Sequence, residues 1–220
     1  MITPLFSTPL GKYEIEENLI KETRENILRY LSDSCKDPEG FFSGVSQNYQ
    51  FKIAENFCKS DNYLTYQTYD DLKLFESFKP LVDRILWDVE WYFDETCIEA
   101  EAVEITSMWA NIYKPGGDNN EHHHPNSFLS GVVVIDDDIG DCLRFYDPRH
   151  ANYVMIPSGG SPFWERCYDE KYPPGTHIIF PSWLQHRPFQ YTGKNPYRIT
   201  IAYNLMLRGD TGEWGYHIKY

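Results

Sequence analysis

The spacing of apolar residues changes near residue 100. From Glu17 to Ser34, Ile20, Ile27, Leu28 and Leu31 recur at helical intervals with charges between them, which predicts an amphipathic helix. Leu81, Val82, Ile85, Leu86 and Val89 form one face of a second helix that begins at either Asp71 or Pro80 and runs to Phe93. Proline is tolerated in a first turn, so both starts are open. Residues 1–15 read as an opening strand, Leu64 to Tyr69 alternates like a strand, and the Gly-, Ser- and Asn-rich stretch 35–63 reads as loop with at most one short helix.

Beyond Glu101 the texture is that of short strands. Val103 to Thr106 leads into Trp109 to Tyr113, followed by Phe128 to Ile135, Cys142 to Tyr146, Thr176 to Phe180, His186 to Tyr191 and Tyr197 to Asn204. Turns rich in Gly, Pro, Asn and Asp separate them. Helices followed by a run of strands predict an α+β, mainly β fold: a jelly roll buttressed by helices. We expect one domain over 1–220, with a helical support region at 1–100, the jelly-roll core at 101–207 and a tail at 208–220. Residues 151–172, with Gly159-Gly160 and Pro162-Phe163-Trp164, read as an inserted loop suited to covering a site.

Composition narrows the partners. An aromatic content of 16% fits wide side chains inside a β-rich core. A net charge of −13 repels phosphate backbones and anionic lipid, so nucleic acid and membranes are poor default partners; solubility alone also accounts for such a charge. The five cysteines are odd in number, widely spaced and without a Cys-x-x-Cys, which argues against a disulfide framework or zinc ribbon and for a reducing cytoplasm. No basic-then-apolar leader and no apolar stretch of about 20 residues is present, so the expectation is a soluble, cytoplasmic protein. No coiled-coil heptad marks an oligomer interface.

The chemistry concentrates in Glu121-His122-His123-His124-Pro125, His186 and Arg198-Ile199-Thr200. Side chains two apart on an extended backbone point the same way, so His122 and His124 converge while His123 points away. With a remote His186 they form a three-ligand set for a first-row metal with positions left open, as in a mononuclear iron oxygenase. Glu121 and His123 are also co-facial and supply a second possible phasing that includes a carboxylate. Arg198 is suited to forked recognition of a carboxylate, with the Thr200 hydroxyl on the same face; a surface ion pair is the other reading of a strand arginine. Asn111 and Tyr113, co-facial on an earlier strand, either line the same pocket or belong to the core. Arg149 either contacts substrate or clamps the turn Asp147-Pro148-Arg149. His150, His177 and His217 read as structural.

Across roughly residues 105–207 the chain resembles a family of iron(II)/2-oxoglutarate-dependent oxygenases numerous in cyanophages and marine bacteria. The blocks are Trp109-x-Asn111, His122-x-His124-Pro125-x-Ser127-x-Leu129-Ser130-Gly131-Val132, Leu143-x-Phe145-x-Asp147-Pro148-Arg149, Phe180-Pro181-Ser182-Trp183-Leu184-x-His186 and Arg198-Ile199-Thr200-Ile201-Ala202-x-Asn204. Gly140-x-Cys142-x-x-Phe145 and Pro174-Gly175 are more loosely similar to the prolyl hydroxylase branch. The resemblance implies a double-stranded β-helix (jelly roll, cupin-like) that binds Fe(II), 2-oxoglutarate and O2. His122, His124 and His186 would hold the metal, and Arg198 with Thr200 would hold the far carboxylate of 2-oxoglutarate. It implies hydroxylation of a small molecule or a protein side chain, with release of succinate and carbon dioxide. In most such enzymes the position of His124 is Asp or Glu, so this triad lacks the usual carboxylate. A three-His zinc enzyme that activates water and a non-catalytic metal-binding jelly roll are the competing readings.

Overall fold

The computed structural model describes residues 5–36, 55–140, 143–149, 164–210 and 217–218. β1 (Gly11–Glu14) precedes α1 (Glu17–Lys36), whose buried residues Ile20, Thr23, Ile27, Tyr30, Leu31 and Ser34 trace one stripe. Residues 55–59 are helical, and β2 (Thr65–Gln67) follows. Two 3-10 turns, Leu72–Leu74 and Glu76–Phe78, then lead into α2 (Lys79–Thr96). Of the two starts open in the sequence, the helix takes the one at Pro80, in its first turn. It ends at Cys97, which adopts the left-handed conformation that closes a helix.

The remaining strands are β3 (Ala102–Tyr113), β4 (Leu129–Asp136), β5 (Leu143–Tyr146), β6 (Cys167–Glu170), β7 (Thr176–Pro181), β8 (His186–Arg187), β9 (Arg198–Asp210) and β10 (His217–Ile218). The major antiparallel sheet runs β1-β7-β4-β9-β3-β2, with β10 added to β9; the minor sheet runs β6-β5-β8. An isolated bridge between His122 and His186 adds one more row to the minor sheet. Two sheets joined in this order make the expected mainly β jelly roll.

Three expectations change. The 151–172 loop is not loop throughout: 150–163 lie outside the described residues, but Cys167–Glu170 form β6, paired along its length with β5. β8 stops at Arg187 rather than Tyr191, because Pro188 has no N–H for the ladder. The chain there turns away, and Tyr191 exchanges backbone hydrogen bonds with Gly116 and Gly117. Cys58 is disulfide-bonded, whereas Cys97 and Cys167 are free, so the cysteines are not all thiols as their spacing suggested. β1 and β2 join the major sheet from the first hundred residues, and β9 continues to Asp210. Among the described residues no helix is long and apolar enough to cross a membrane.

The two faces of the major sheet have different jobs. On one face Ile112, Val133, Ile179, Ile199 and Ile201 pack with Ile27, Leu31, Leu81, Ile85 and Val89 of the helices in the main core. Within this face His177 is fully buried between Asp88 of α2, 2.6 Å from Nδ1, and the Tyr203 hydroxyl, 2.6 Å from Nε2. Burial holds the His177 imidazole below its ordinary pKa, with Asp88 opposing, so the neutral ring donates to Asp88 and accepts from Tyr203. Arg84 closes the chain on Asp88 at 3.0 Å. The Tyr203 ring crosses β4 at Gly131, where any Cβ would overlap it. Gly131→Ala is therefore expected to lower the unfolding free energy by about 1–3 kcal/mol, the usual penalty of overpacking. Urea denaturation checks this, and an unchanged midpoint would mean that the ring has room to move.

Candidate metal centre and anion pocket

The other face of the sheet meets the minor sheet, and the histidines gather there. His122 N–H donates to the His186 carbonyl and His186 N–H to that of His122, both at 2.9 Å, while His124 N–H donates to the Ser182 carbonyl at 2.9 Å. These bonds hold residues 122–124 extended alongside 182–186. His122 and His124 therefore turn the same way, and Glu121 and His123 stay exposed. One ring nitrogen from each of His122, His124 and His186 lies within 4.8 Å of the others. Of the two phasings open in the sequence, only this one converges among the described residues.

The hydrogen bonds fix which nitrogens converge. His122 Nδ1 faces the Asn120 carbonyl at 2.8 Å, His186 Nδ1 the Leu184 carbonyl at 2.9 Å, and His124 Nδ1 the Asn204 Oδ1 at 2.7 Å. An oxygen acceptor requires a proton on each Nδ1, so each Nε2 presents a lone pair. His124 Nε2 and His186 Nε2 are 3.2 Å apart. No proton is left to bridge them, and two lone pairs at that distance repel. An ion about 2.1 Å from each nitrogen, at right angles, would separate them by about 3.0 Å, so the donor set fits a divalent first-row metal. Burial, reinforced by the neighbouring imidazoles, pushes His124 down to about 4; burial likewise pushes His186 down to about 3. Both imidazoles are neutral near pH 7, the form in which a ring nitrogen can bind a metal. Trp109 stacks on His124 with ring centroids 5.6 Å apart, and Phe180 meets His186 edge-on at 4.7 Å.

Four cross-strand pairs lead away from the histidines along the same face: Ser107 with Asn204, Trp109 with Ala202, Asn111 with Thr200, and Tyr113 with Arg198. The register thus assembles Arg198, Thr200, Asn111 and Tyr113 into one patch, all four buried. Arg198 is no surface ion-pair residue: its exposure is 0%. Its guanidinium lies over the Tyr113 ring at 4.4 Å and the Tyr191 ring at 5.5 Å, and Nη2 donates to the Phe189 carbonyl at 2.7 Å. Among the described residues Nε and Nη1 have no partner. A buried, permanently charged group with unused donors fits a carboxylate-bearing ligand. Asn111 Oδ1 accepts from Gln67 at 3.2 Å and the Tyr113 hydroxyl from Asn119 at 3.1 Å.

Arg149 resolves towards the turn, since its guanidinium grips Asp147 at 2.7 Å. Both residues also border a cavity of about 940 Å³ between the N-terminal segment and β5–β6. The three histidines and Arg198 do not line that cavity, which reaches the metal side only through Phe145 and Leu184. His150 lies outside the described residues, as does the side chain of His217.

Sequence reasoning gave no role to Asn204, Trp109 or Tyr191. The two-residue phase of Arg198, Thr200, Ala202 and Asn204 would have placed Asn204 on the site face. Tyr191 reaches Arg198 only through the turn after β8, which leaves no trace in the pattern.

Residues 107–204 match the family described as "Putative 2OG-Fe(II) oxygenase". The matched segment begins at Ser107 and ends at Asn204, the first of the cross-strand pairs above. Among solved structures the chain is similar to a Pseudomonas putida prolyl-4-hydroxylase at 12% identity, over 93% of this chain and 96% of that one, with a TM-score of 0.57. The non-heme alpha-ketoglutarate-dependent epimerase SnoN of nogalamycin biosynthesis aligns at 11% identity over 92% and 77%, with a TM-score of 0.62. HygX from Streptomyces hygroscopicus, solved with nickel, 2-oxoglutarate and hygromycin B, aligns at 12% identity over 90% and 83%, with a TM-score of 0.56. At these identities the shared property is the fold. No curated protein matches the chain.

Because Arg198 is buried with donors unspent, Arg198→Met is expected to stabilise the ligand-free protein by about 1–3 kcal/mol, the cost of an unsatisfied buried group. Denaturant unfolding reads this directly. A loss of stability would mean that the Phe189 carbonyl and the two rings already compensate the charge.

Proposed function

We propose that the chain is an iron(II)- and 2-oxoglutarate-dependent dioxygenase that hydroxylates a small molecule or a protein side chain. The observation that carries this reading is the pairing, on one interior face, of three convergent Nε2 lone pairs with a buried guanidinium that lacks a carboxylate. The family match and the 2-oxoglutarate named with HygX and SnoN support it. In this reading His122, His124 and His186 hold the metal, Arg198 and Thr200 bind the distal carboxylate of 2-oxoglutarate, and Asn111 and Tyr113 shape the pocket around it.

Iron bound there with 2-oxoglutarate and O2 supplies oxidation of a substrate C–H coupled to decarboxylation of the cosubstrate to succinate and carbon dioxide. The protein supplies geometry and electrostatics. Three neutral imidazoles would leave the full charge of a divalent ion uncompensated, so one carboxylate of the dianionic cosubstrate would offset half of it while the other meets Arg198. Trp109, Phe180 and Phe145 wall the histidines with apolar surface, which excludes water and strengthens both interactions. The cavity behind Phe145 and Leu184 offers space for the prime substrate. Hydroxylation matches the prolyl-4-hydroxylase; epimerisation, the activity of SnoN, is the other outcome on this fold. A zinc hydrolase has no use for a buried Arg198 whose Nε and Nη1 are left without partners among the described residues.

Anaerobic titration of 2-oxoglutarate into the iron(II)-loaded protein tests the reading. Micromolar binding with a new visible charge-transfer band is expected; tight metal binding with neither would favour the zinc reading. Arg198→Ala should weaken 2-oxoglutarate by about 2–4 kcal/mol, the usual loss when one partner of a desolvated charge pair is truncated. An unchanged affinity would remove Arg198 from the cosubstrate site. Metal stoichiometry gives a separate check: His186→Ala should abolish it and His123→Ala should preserve it, and the opposite pattern would mean another ligand set.

A further inference from the structure

We propose that Asn204 is the positioning residue of the metal centre, holding the Nδ1–H of His124 so that only Nε2 is offered to the metal. The inference rests on the metal reading above and assigns a role to a residue that does not itself touch metal or cosubstrate.

The need for such a residue follows from what stands at position 124. A carboxylate there would be acceptor-only, with two equivalent oxygens to offer. An imidazole has two tautomers and two orientations, and only one combination directs a lone pair at the centre. His122 and His186 are held by backbone carbonyls, those of Asn120 and Leu184, which the chain supplies whatever its side chains. His124 alone depends on a side chain, Asn204 Oδ1 at 2.7 Å.

Asn204 is itself immobilised. Ser130 Oγ donates to its Oδ1 at 2.9 Å, and its Nδ2 donates to Ser107 Oγ at 3.2 Å. Ser107 and Ser130 are its register partners on the two neighbouring strands, so the amide is gripped from both sides of β9. The Ser182 hydroxyl lies 2.8 Å from Ser130 Oγ, and the Ser182 carbonyl accepts from His124 N–H. The network therefore closes on the residue it orients. In this arrangement the amide turns Oδ1 towards His124, and Trp109 stacked on the imidazole limits ring rotation.

Cobalt(II)-loaded full-length protein gives a readout independent of turnover. Its proton NMR spectrum should show three exchangeable, hyperfine-shifted Nδ1–H signals, one per ligand. Asn204→Ala should lose one of them to solvent exchange and bind cobalt about 10- to 100-fold more weakly, the range typical for removing an outer-shell partner. Asn204→Asp keeps an acceptor oxygen at the same reach, so it should retain all three signals. The proposal fails if Asn204→Ala keeps three slowly exchanging signals and wild-type affinity, or if both variants lose affinity equally while folded. Should Asn204→Ala not fold, Ser130→Ala loosens the same oxygen and should speed exchange of the His124 signal; unchanged exchange would overturn the proposal. Wild-type protein that binds no cobalt would remove the metal reading itself, whereas wild-type binding with an indifferent Asn204→Ala removes only this inference.

Discussion

The antiparallel register between β3 and β9 is the constraint on which the site depends. It places Ser107, Trp109, Asn111 and Tyr113 opposite Asn204, Ala202, Thr200 and Arg198. Side chains alternate faces along a strand, so a slip of one residue would send this whole set into the helical core and bring Ile112 and Ile201 to the site. The irregularity between Ile105 and Ser107 falls before the site begins, leaving residues 107–113 in phase. β4 repeats the lesson on the other flank of β9, where Ser130 faces Asn204 and Val134 faces Thr200.

Buried polar groups on the two faces of this sheet are treated in opposite ways. On the helical face, Arg84, Asp88, His177 and Tyr203 form a chain in which each member has its partner at 2.6–3.0 Å. Such a network ties α2 to β7 and β9, with Arg84 Nε its one buried atom that lacks a partner among the described residues. On the inner face, three imidazole lone pairs point at one another and a buried guanidinium keeps two nitrogens unpartnered. Both defects are costly to the folded chain alone, and they are complementary: one asks for a cation, the other for an anion. Histidines are buried on both faces, so burial does not separate structure from function here; both ring nitrogens of His177 meet an oxygen partner, whereas His124 and His186 have one only on Nδ1.

The minor sheet contributes less area and more precision. β8 is only two residues long, yet the mutual backbone bonds of His186 and His122 lock the distal ligand to the near pair. Pro188 then releases the chain, and the turn that follows returns Phe189 and Tyr191 to Arg198. A single interruption of strand geometry thus links the histidine cluster to the buried guanidinium.

The sequence by itself determined the two amphipathic helices, most of the strands and the facing of His122 with His124, because these follow from periods of 3.6 and 2 in local pattern. It also carried the family blocks that pair His186 and Arg198 with them. Local pattern could not reveal β6, whose Cys167-Tyr168-Asp169-Glu170 is too polar to read as a strand and is held by pairing with β5. Nor could it choose between Glu121/His123 and His122/His124, or between a surface and a buried Arg198. Those outcomes were decided by tertiary structure, since the approach of His124 to His186, the Asn204 partner of His124 and the cover of Tyr113 over Arg198 all come from residues distant in the chain.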